Sequence, residues 1–352
     1  MLKPILLFIV GLVCLIKGGD WFVDGASSLA RKFRLPELLI GATVVSIGTT
    51  LPEVMVSTMS ALSGHGEIAY GNAIGSVICN TALIAAITIA VKPGPADPKT
   101  LRIPVTFFYI AAAIYCVAAY AMGKFTRPMG LIMLAVFLAY MVVNVRSMKA
   151  EAQASGAQGT GAQGSGAQGS GAGEARAEAA SGEGSGEKSD AEEKDVPMGK
   201  ILLFLVAGAA LIAVGANLLV ENGTLIAQAF GVPESVIALT FVALGTSLPE
   251  LVTAITSLAK GHGALSLGNV IGANVFNLVL VSGVSVTLAP FVVPQSAVFM
   301  GHNSSLVLEI PVMLLVMSIL TIPTLIRGKL TRAQGILLLV IYAVFCAIQF
   351  TM

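Results

Sequence analysis

The chain has 352 residues, of which 56% are hydrophobic and only 11% charged, and its mean hydropathy is +0.88. A soluble domain carries roughly 25% charged residues, so this chain cannot clothe a water-exposed surface and reads as an integral membrane protein. Its 20 Lys and Arg nearly balance its 19 Asp and Glu, which excludes the basic stripe of a nucleic-acid binder.

The first apolar run, 4–24, passes through Lys17-Gly18-Gly19-Asp20-Trp21 without a small-residue cleavage site. It reads as a first membrane span rather than a cleaved signal, with Trp21 as an interfacial anchor near its end. A bilayer core about 30 Å thick needs about 20 apolar residues per helix. Nine further runs meet that length: 36–62, 67–91, 103–121, 128–146, 199–221, 233–259, 264–289, 306–324 and 332–350. They are continuous rather than alternating, which excludes a barrel. Between spans five and six the sequence turns to GAQGT and GAQGS repeats, and Glu151 to Asp195 hold nine of the 19 acids. That composition cannot bury a core, so 147–198 reads as a flexible tether with no fold of its own. Cys14, Cys79, Cys116 and Cys346 lie in apolar runs without metal-ligand spacing and read as small buried residues.

The chain also repeats itself. A shift of 197 residues lays Leu6–Asn80 on Leu203–Asn277 without a gap, and 19 of the 45 positions from Pro36 to Asn80 are then identical. Five spans per repeat is an odd number, so the second repeat enters the membrane inverted. The basic residues agree. Arg31, Lys32, Arg34, Lys92, Lys99, Arg102, Lys260, Arg327, Lys329 and Arg332 fall on the side of the tether, against Lys3, Lys124 and Arg127 opposite. The excess puts the tether in the cytoplasm and both termini outside. The expected fold is an all-α integral membrane protein of ten transmembrane helices, built as two inverted five-helix repeats, 1–146 and 199–352, with the 147–198 linker between them. Secondary transporters of this architecture bind their cargo near the midplane, between the repeats.

Outside the linker, Asp20, Asp24, Glu37, Glu67, Asp97, Glu221, Glu234 and Glu309 read as solvated or capping residues at span ends and in loops. Asp24/Glu221 and Glu37/Glu234 recur between the repeats and are candidates for gating. Glu53 and Glu250 differ, because each lies deep in an apolar run and each is the other's repeat mate. An acid at the centre of a membrane helix costs about 2.5–3.5 kcal/mol on insertion scales, and two of them ask for a cation. They close the motifs Gly48-Thr49-Thr50-Leu51-Pro52-Glu53 and Gly245-Thr246-Ser247-Leu248-Pro249-Glu250. Thr49 and Glu53 share a helix face. Pro52 and Pro249 cannot donate to the carbonyls of Gly48 and Gly245, which are freed to line a cavity at a proline-broken helix. In the next spans Asn72, Ser76 and Asn80 recur one turn apart, and Asn269, Ala273 and Asn277 repeat the row. Gly71, Gly75, Gly268 and Gly272 allow close helix approach.

The candidate ligands are all oxygens, with no His or Cys, which disfavours zinc and copper. Calcium takes six to eight oxygens, and two glutamates neutralise one divalent ion; hydroxyls and carbonyls suit sodium equally well. His65 and His262 each sit in a Gly-His-Gly sequence that reads as a tight turn before it reads as a pH sensor. No nucleophile–base pair lies in the spans, which argues against an enzyme.

The paired G-T-[TS]-L-P-E and G-N-[AV]-I-G-[SA] segments resemble the two alpha-repeats of the sodium/calcium exchangers, in the cation/calcium exchanger superfamily. The likeness extends over nearly the whole chain apart from the linker. It implies a secondary antiporter exchanging Na⁺ for Ca²⁺ by alternating access, with spans 1 and 6 sliding against spans 2, 3, 7 and 8. Carried over by motif, the ion ligands are Thr49, Thr50, Glu53, Ser76 and Asn80 with Thr246, Ser247, Glu250 and Asn277, together with the carbonyls of Ser46 and Ala243. The resemblance implies no cofactor, Ca²⁺ and Na⁺ as cargo, and a monomer working in a plasma membrane of the prokaryotic inner-membrane kind. Two departures stand out. Ala273 replaces a serine common in the family and removes one hydroxyl, and Asn277 replaces the Asp of potassium-dependent members. Coupling to H⁺ or another cation, and a cation channel, are the alternatives.

Overall fold

The computed structural model describes residues 2–160, 196–229, 245, 247–295 and 298–351. Ten helices are described: α1 (Leu2–Phe33), α2 (Glu37–Leu62), α3 (Gly66–Val91), α4 (Pro98–Met122), α5 (Arg127–Thr160), α6 (Met198–Ala229), α7 (Leu248–Ala259), α8 (Gly263–Leu288), α9 (Ser305–Arg327) and α10 (Arg332–Thr351). Nine of them are long and apolar enough to cross a membrane. The tenth, α7, has 12 described residues, and the earlier part of its expected span, 233–259, lies outside the described residues. So do 161–195 of the expected linker, while α5 runs on past residue 146 as far as Thr160.

The expected end of the first span at residue 24 is corrected. The 32 residues of α1 extend about 48 Å at 1.5 Å per residue, so Asp20 and Asp24 lie within the helix rather than beyond it. Arg31 and Lys32 occupy its last turn, where the helix dipole favours cations. Arg34 adopts φ +52° and Leu35 N–H bonds back to Ala30 O at 2.8 Å; Pro36 then prevents continuation. Trp21 stacks on Phe204 of α6, with ring centroids 6.1 Å apart.

Contacts between loops define two faces. On one, the 92–97 loop meets the α9–α10 turn, with Ala96 N–H on Gly328 O and Leu330 N–H on Gly94 O. The same face holds the bond from Lys32 Nζ to Val196 O, near the end of the linker, and His262 on Glu37. On the other, strand β1 (Lys124–Phe125) pairs antiparallel with β2 (Phe291–Val292), and Gly66 packs on Phe291. A short hairpin, β3 (Val298–Phe299) with β4 (His302–Asn303), lies between α8 and α9. Helix α3 therefore starts on the second face and its repeat mate α8 on the first, which is the expected inversion.

Two apolar clusters form the interior. The larger draws on α3, α4, α5, α8, α9 and α10. The smaller joins α1 and α6 through Leu15, Phe22, Val23, Ile201, Leu205 and Ile212, touching α2 at Ile40 and Val45. Along the α1–α6 seam a side chain on Gly11 would meet Gly215 O at 2.9 Å, and one on Gly18 would meet Ile212 N at 2.8 Å. Only glycine lets the two backbones approach so closely.

Candidate functional site

Glu53 and Glu250 are fully buried, one from each repeat. They lie close enough to interact electrostatically. Thr50 Oγ1 donates to Glu250 Oε1 at 3.4 Å, bridging α2 to α7. Among the described residues neither Glu53 oxygen has a hydrogen-bond partner, nor has Glu250 Oε2. Buried carboxylate oxygens of this kind are sustained by a cation or a proton.

The remaining described ligand candidates are all buried, on α2, α3 and α8 and just ahead of α7. Ser46 Oγ donates to Gly41 O at 2.8 Å and lies 3.0 Å from Asn269 O. Thr49 Oγ1 donates to Asn269 Oδ1 at 3.3 Å. Ser76 is buried on the α3 face that carries Asn80 one turn on. Ser247 is buried just ahead of α7. Asn80 and Asn277 are fully buried, and none of their four side-chain N and O atoms has a described partner. Ala243 and Thr246 lie outside the described residues. Gly48, Thr49, Pro52 and Pro249 line one narrow cleft with Phe22 of α1 and Ile212 of α6, which brings the α1–α6 pair against the site.

In the first repeat the local backbone geometry departs from the expected proline break. Helix α2 runs on through Pro52, and Pro249 sits in the first turn of α7, where proline is tolerated. The irregularity appears instead as π-helical turns, at Gly41–Val45 just before Ser46, at Asn80–Ala85 and at Asn277–Val281. A π turn inserts one residue and displaces a carbonyl from the regular ladder, and such turns gather at functional sites. The two asparagines head the equivalent turn in each repeat.

Close packing sets the partners of these helices. A side chain on Gly272 would collide with Ser46 Oγ and one on Gly268 with Leu38 O, so α8 lies backbone to backbone with α2. Beyond the adjoining backbone of α3 itself, no described residue comes within 4 Å of a side chain placed on Gly71 or Gly75.

Sequence reasoning left several buried polar residues out of the ligand set. Asn269 joins Ser46 and Thr49, whereas its repeat mate Asn72 donates to Ser57 Oγ at 2.8 Å and Glu53 O at 3.4 Å. Thr253 and Ser257 are fully buried without a described hydrogen-bond partner. Their spacing of three and seven residues from Glu250 on one helix was the available signal. Other acids divide as follows. Asp97 caps α4 by accepting from Lys99 N–H at 3.0 Å, as expected. Glu309, expected at a span end, lies in a π turn with Ser304 and Gln349 each at 3.5 Å. The two Gly-His-Gly segments form the same turn, with Gly64 at φ +83° and Gly261 at φ +84°, a conformation that favours glycine. His262 also contacts Glu37 Oε1 at 2.7 Å.

A larger cavity of about 520 Å³ opens on the linker face between Glu37, the 92–97 loop and Gly261–Gly263, but Glu53 and Glu250 do not line it. Volume alone supplies no ligands; the buried carboxylates do. Among the described residues no group of three or more His, Cys, Asp and Glu gathers, so the donor set is two carboxylates with neutral oxygens. That set fits hard cations such as calcium and sodium.

Residues 3–146 and 200–351 match the family described as sodium/calcium exchanger protein. The chain is 32% identical over 345 residues to the putative antiporter CaxA of Alkalimonas amylolytica, covering 97% of each. It is 30% identical over 350 residues to the sodium/calcium exchanger MaX1 of Methanosarcina acetivorans, covering 98% of each. Its match to the inner membrane protein YrbG of Escherichia coli is 32% over 293 residues, covering 82% of this chain and 81% of the relative. Its fold superposes on the sodium–calcium exchanger NCX_Mj, soaked with 2.5 mM Na⁺ and 10 mM Sr²⁺, with a TM-score of 0.75, 27% identity and 98% of each chain covered.

Proposed function

The chain belongs to the sodium/calcium exchanger family of membrane antiporters, and from that membership we propose that it exchanges Na⁺ for Ca²⁺ by alternating access at the Glu53–Glu250 pair. The observation that carries this reading is one fully buried glutamate from each inverted repeat, close together, with three of their four carboxylate oxygens lacking a described hydrogen-bond partner. Calcium engages both carboxylates, whose two charges it neutralises, and the Thr49, Thr50, Ser76, Ser247, Asn80 and Asn277 side chains with the Ser46 carbonyl supply neutral oxygens. Ala243 and Thr246 complete the set by resemblance. Sodium ions occupy the same oxygens in turn, so the two cargoes compete and their fluxes are coupled. The solved relative soaked with Na⁺ and Sr²⁺ supports this choice of cargo.

Helices α1 and α6 form the moving unit. Their own apolar cluster and glycine seam support this, as does the meeting of Phe22 with Gly48 beside the site. The two five-helix repeats, 1–146 and 199–352, operate as a monomer with the 147–198 linker in the cytoplasm and both termini outside. The inner-membrane relative supports an inner-membrane setting.

The test is transport in liposomes. Protein reconstituted with Na⁺ inside takes up Ca²⁺ when the outward Na⁺ gradient is present, and Glu53→Gln abolishes that uptake. Uptake that ignores the Na⁺ gradient but follows a pH gradient would replace sodium by protons as the coupling ion. Unchanged uptake in Glu53→Gln would remove the site.

A further inference from the structure

We propose that Lys260, Asp20 and Asp24 form a one-sided latch that holds the linker face closed and so sets the face to which the Glu53–Glu250 site opens. The inference rests on the alternating-access reading above.

Lys260 follows the last residue of α7. Its Nζ lies 2.8 Å from Asp24 Oδ1, 3.4 Å from Asp20 Oδ1 and 3.0 Å from Asp20 O, tying α7 to the middle of α1. A cation at a helix C-terminus also meets the negative end of the helix dipole. Above this tie α1 covers α7 tightly. A side chain on Gly19 would meet Val252 Cγ1 at 2.8 Å and Thr256 Oγ1 at 2.9 Å. Thr253 and Ser257, on the stretch of α7 leading from Glu250 to the linker face, are fully buried.

The repeat supplies its own control. The 197-residue shift that pairs Glu53 with Glu250 pairs Lys260 with Ser63, Asp20 with Asn217 and Asp24 with Glu221. No cation stands at the equivalent position on the opposite face, and Asn217 Nδ2 donates to Glu221 Oε1 at 2.9 Å within α6 itself. One face of α2 beyond Glu53 is correspondingly uncovered, although Ser57 and Ala61 are buried. Met55, Val56 and Met59 are 67%, 41% and 62% exposed, whereas Thr253, the mate of Val56, is fully buried. Helix order and motif are common to both repeats, and so is the acid at Asp24 and Glu221; charge at the other two positions, Lys260 against Ser63 and Asp20 against Asn217, is not. Because the three side chains are partly exposed, water and salt screen the pair. It therefore biases an equilibrium between two faces rather than fixing it.

The test reads accessibility, not transport. Full-length protein carrying Ser257→Cys is placed in nanodiscs without Na⁺ or Ca²⁺ and treated with a charged maleimide, and modification of residue 257 is followed by peptide-resolved mass spectrometry. Thr256→Cys is a second reporter. We expect Lys260→Ser to speed modification about two- to fivefold and Lys260→Arg to leave it near the parent rate. Ser63→Lys, which places a cation opposite Glu221, should speed it too by drawing the other face shut. The exchange Lys260→Asp with Asp24→Lys should restore slow modification. Equal rates in Lys260→Ser and Lys260→Arg, or slower modification in Ser63→Lys, would overturn the latch. Normal Na⁺-driven Ca²⁺ uptake in the parent alongside such a result would leave the exchange reading standing. Absent uptake with the expected labelling would overturn that reading and keep the latch.

Discussion

Glu53 and Glu250 occupy positions where a carboxylate is costly unless a cation neutralises it, and neutral hydroxyls help to hold that cation. Thr50 is one, with its Oγ1 on Glu250. Thr50→Val keeps the shape and removes the oxygen; the expected result is Ca²⁺ uptake with an apparent affinity weakened roughly five- to tenfold, about the worth of one hydrogen bond, measured as the Ca²⁺ concentration dependence in liposomes. Ala273 offers the converse. It is fully buried one turn before Asn277, where Ser76 stands in the first repeat. Ala273→Ser adds a hydroxyl to the second half of the site and should lower the Na⁺ concentration needed for half-maximal exchange, read from Na⁺ competition with Ca²⁺ uptake. No change in either variant would remove these hydroxyls from the ligand set. The glutamates and threonines were legible in the sequence because an acid inside an apolar run is chemically conspicuous. Asn269 was not assigned, because its bonds to Ser46 and Thr49 cross from one repeat to the other, over 223 and 220 residues, and no local pattern encodes them.

At the scale of helices, apolar length located the spans well, but ends and irregularities followed other rules. Helix α1 overruns its apolar stretch, with Asp20 and Asp24 meeting Lys260 from within it, so charge did not mark its end. The π turns beginning at Asn80 and Asn277 carry no compositional mark, since they depend on how each helix packs against its neighbours. The glycine seam between α1 and α6 does show in the sequence, as Gly11, Gly18 and Gly25 at seven-residue intervals, yet its partner helix does not. Gly18→Val would push a side chain into the α6 backbone near Ile212. The expected cost is about 1–3 kcal/mol, as for other overpacked positions, visible as a lower unfolding temperature in detergent. Unchanged stability would mean that the seam has slack.

Across the whole molecule, the odd number of spans per repeat makes a prediction about sidedness. Ser63 lies in the turn between α2 and α3, and Gly94 in the loop that meets the α9–α10 turn; the two belong to opposite faces. Ser63→Cys should react with an impermeant thiol reagent from outside intact cells, and Gly94→Cys only after the membrane is opened. Reaction of both from one side would break the inverted arrangement.

Repetition, apolar length and the placement of charge by themselves determined that this chain spans a membrane, that it is two copies of one unit, and that each copy carries a glutamate inside an apolar span. These signals are legible because the bilayer penalises every polar group that lacks a reason to be there. The tertiary structure alone decided that Thr50 meets Glu250 and Asn269 meets Ser46 and Thr49 across the repeats, and where the helices leave α geometry. It alone showed that one face is tied by an ion pair which the repeat does not reproduce. Those features arise from contacts between distant segments, and in a duplicated chain the sequence displays the likeness of the halves more readily than the charges that set them apart.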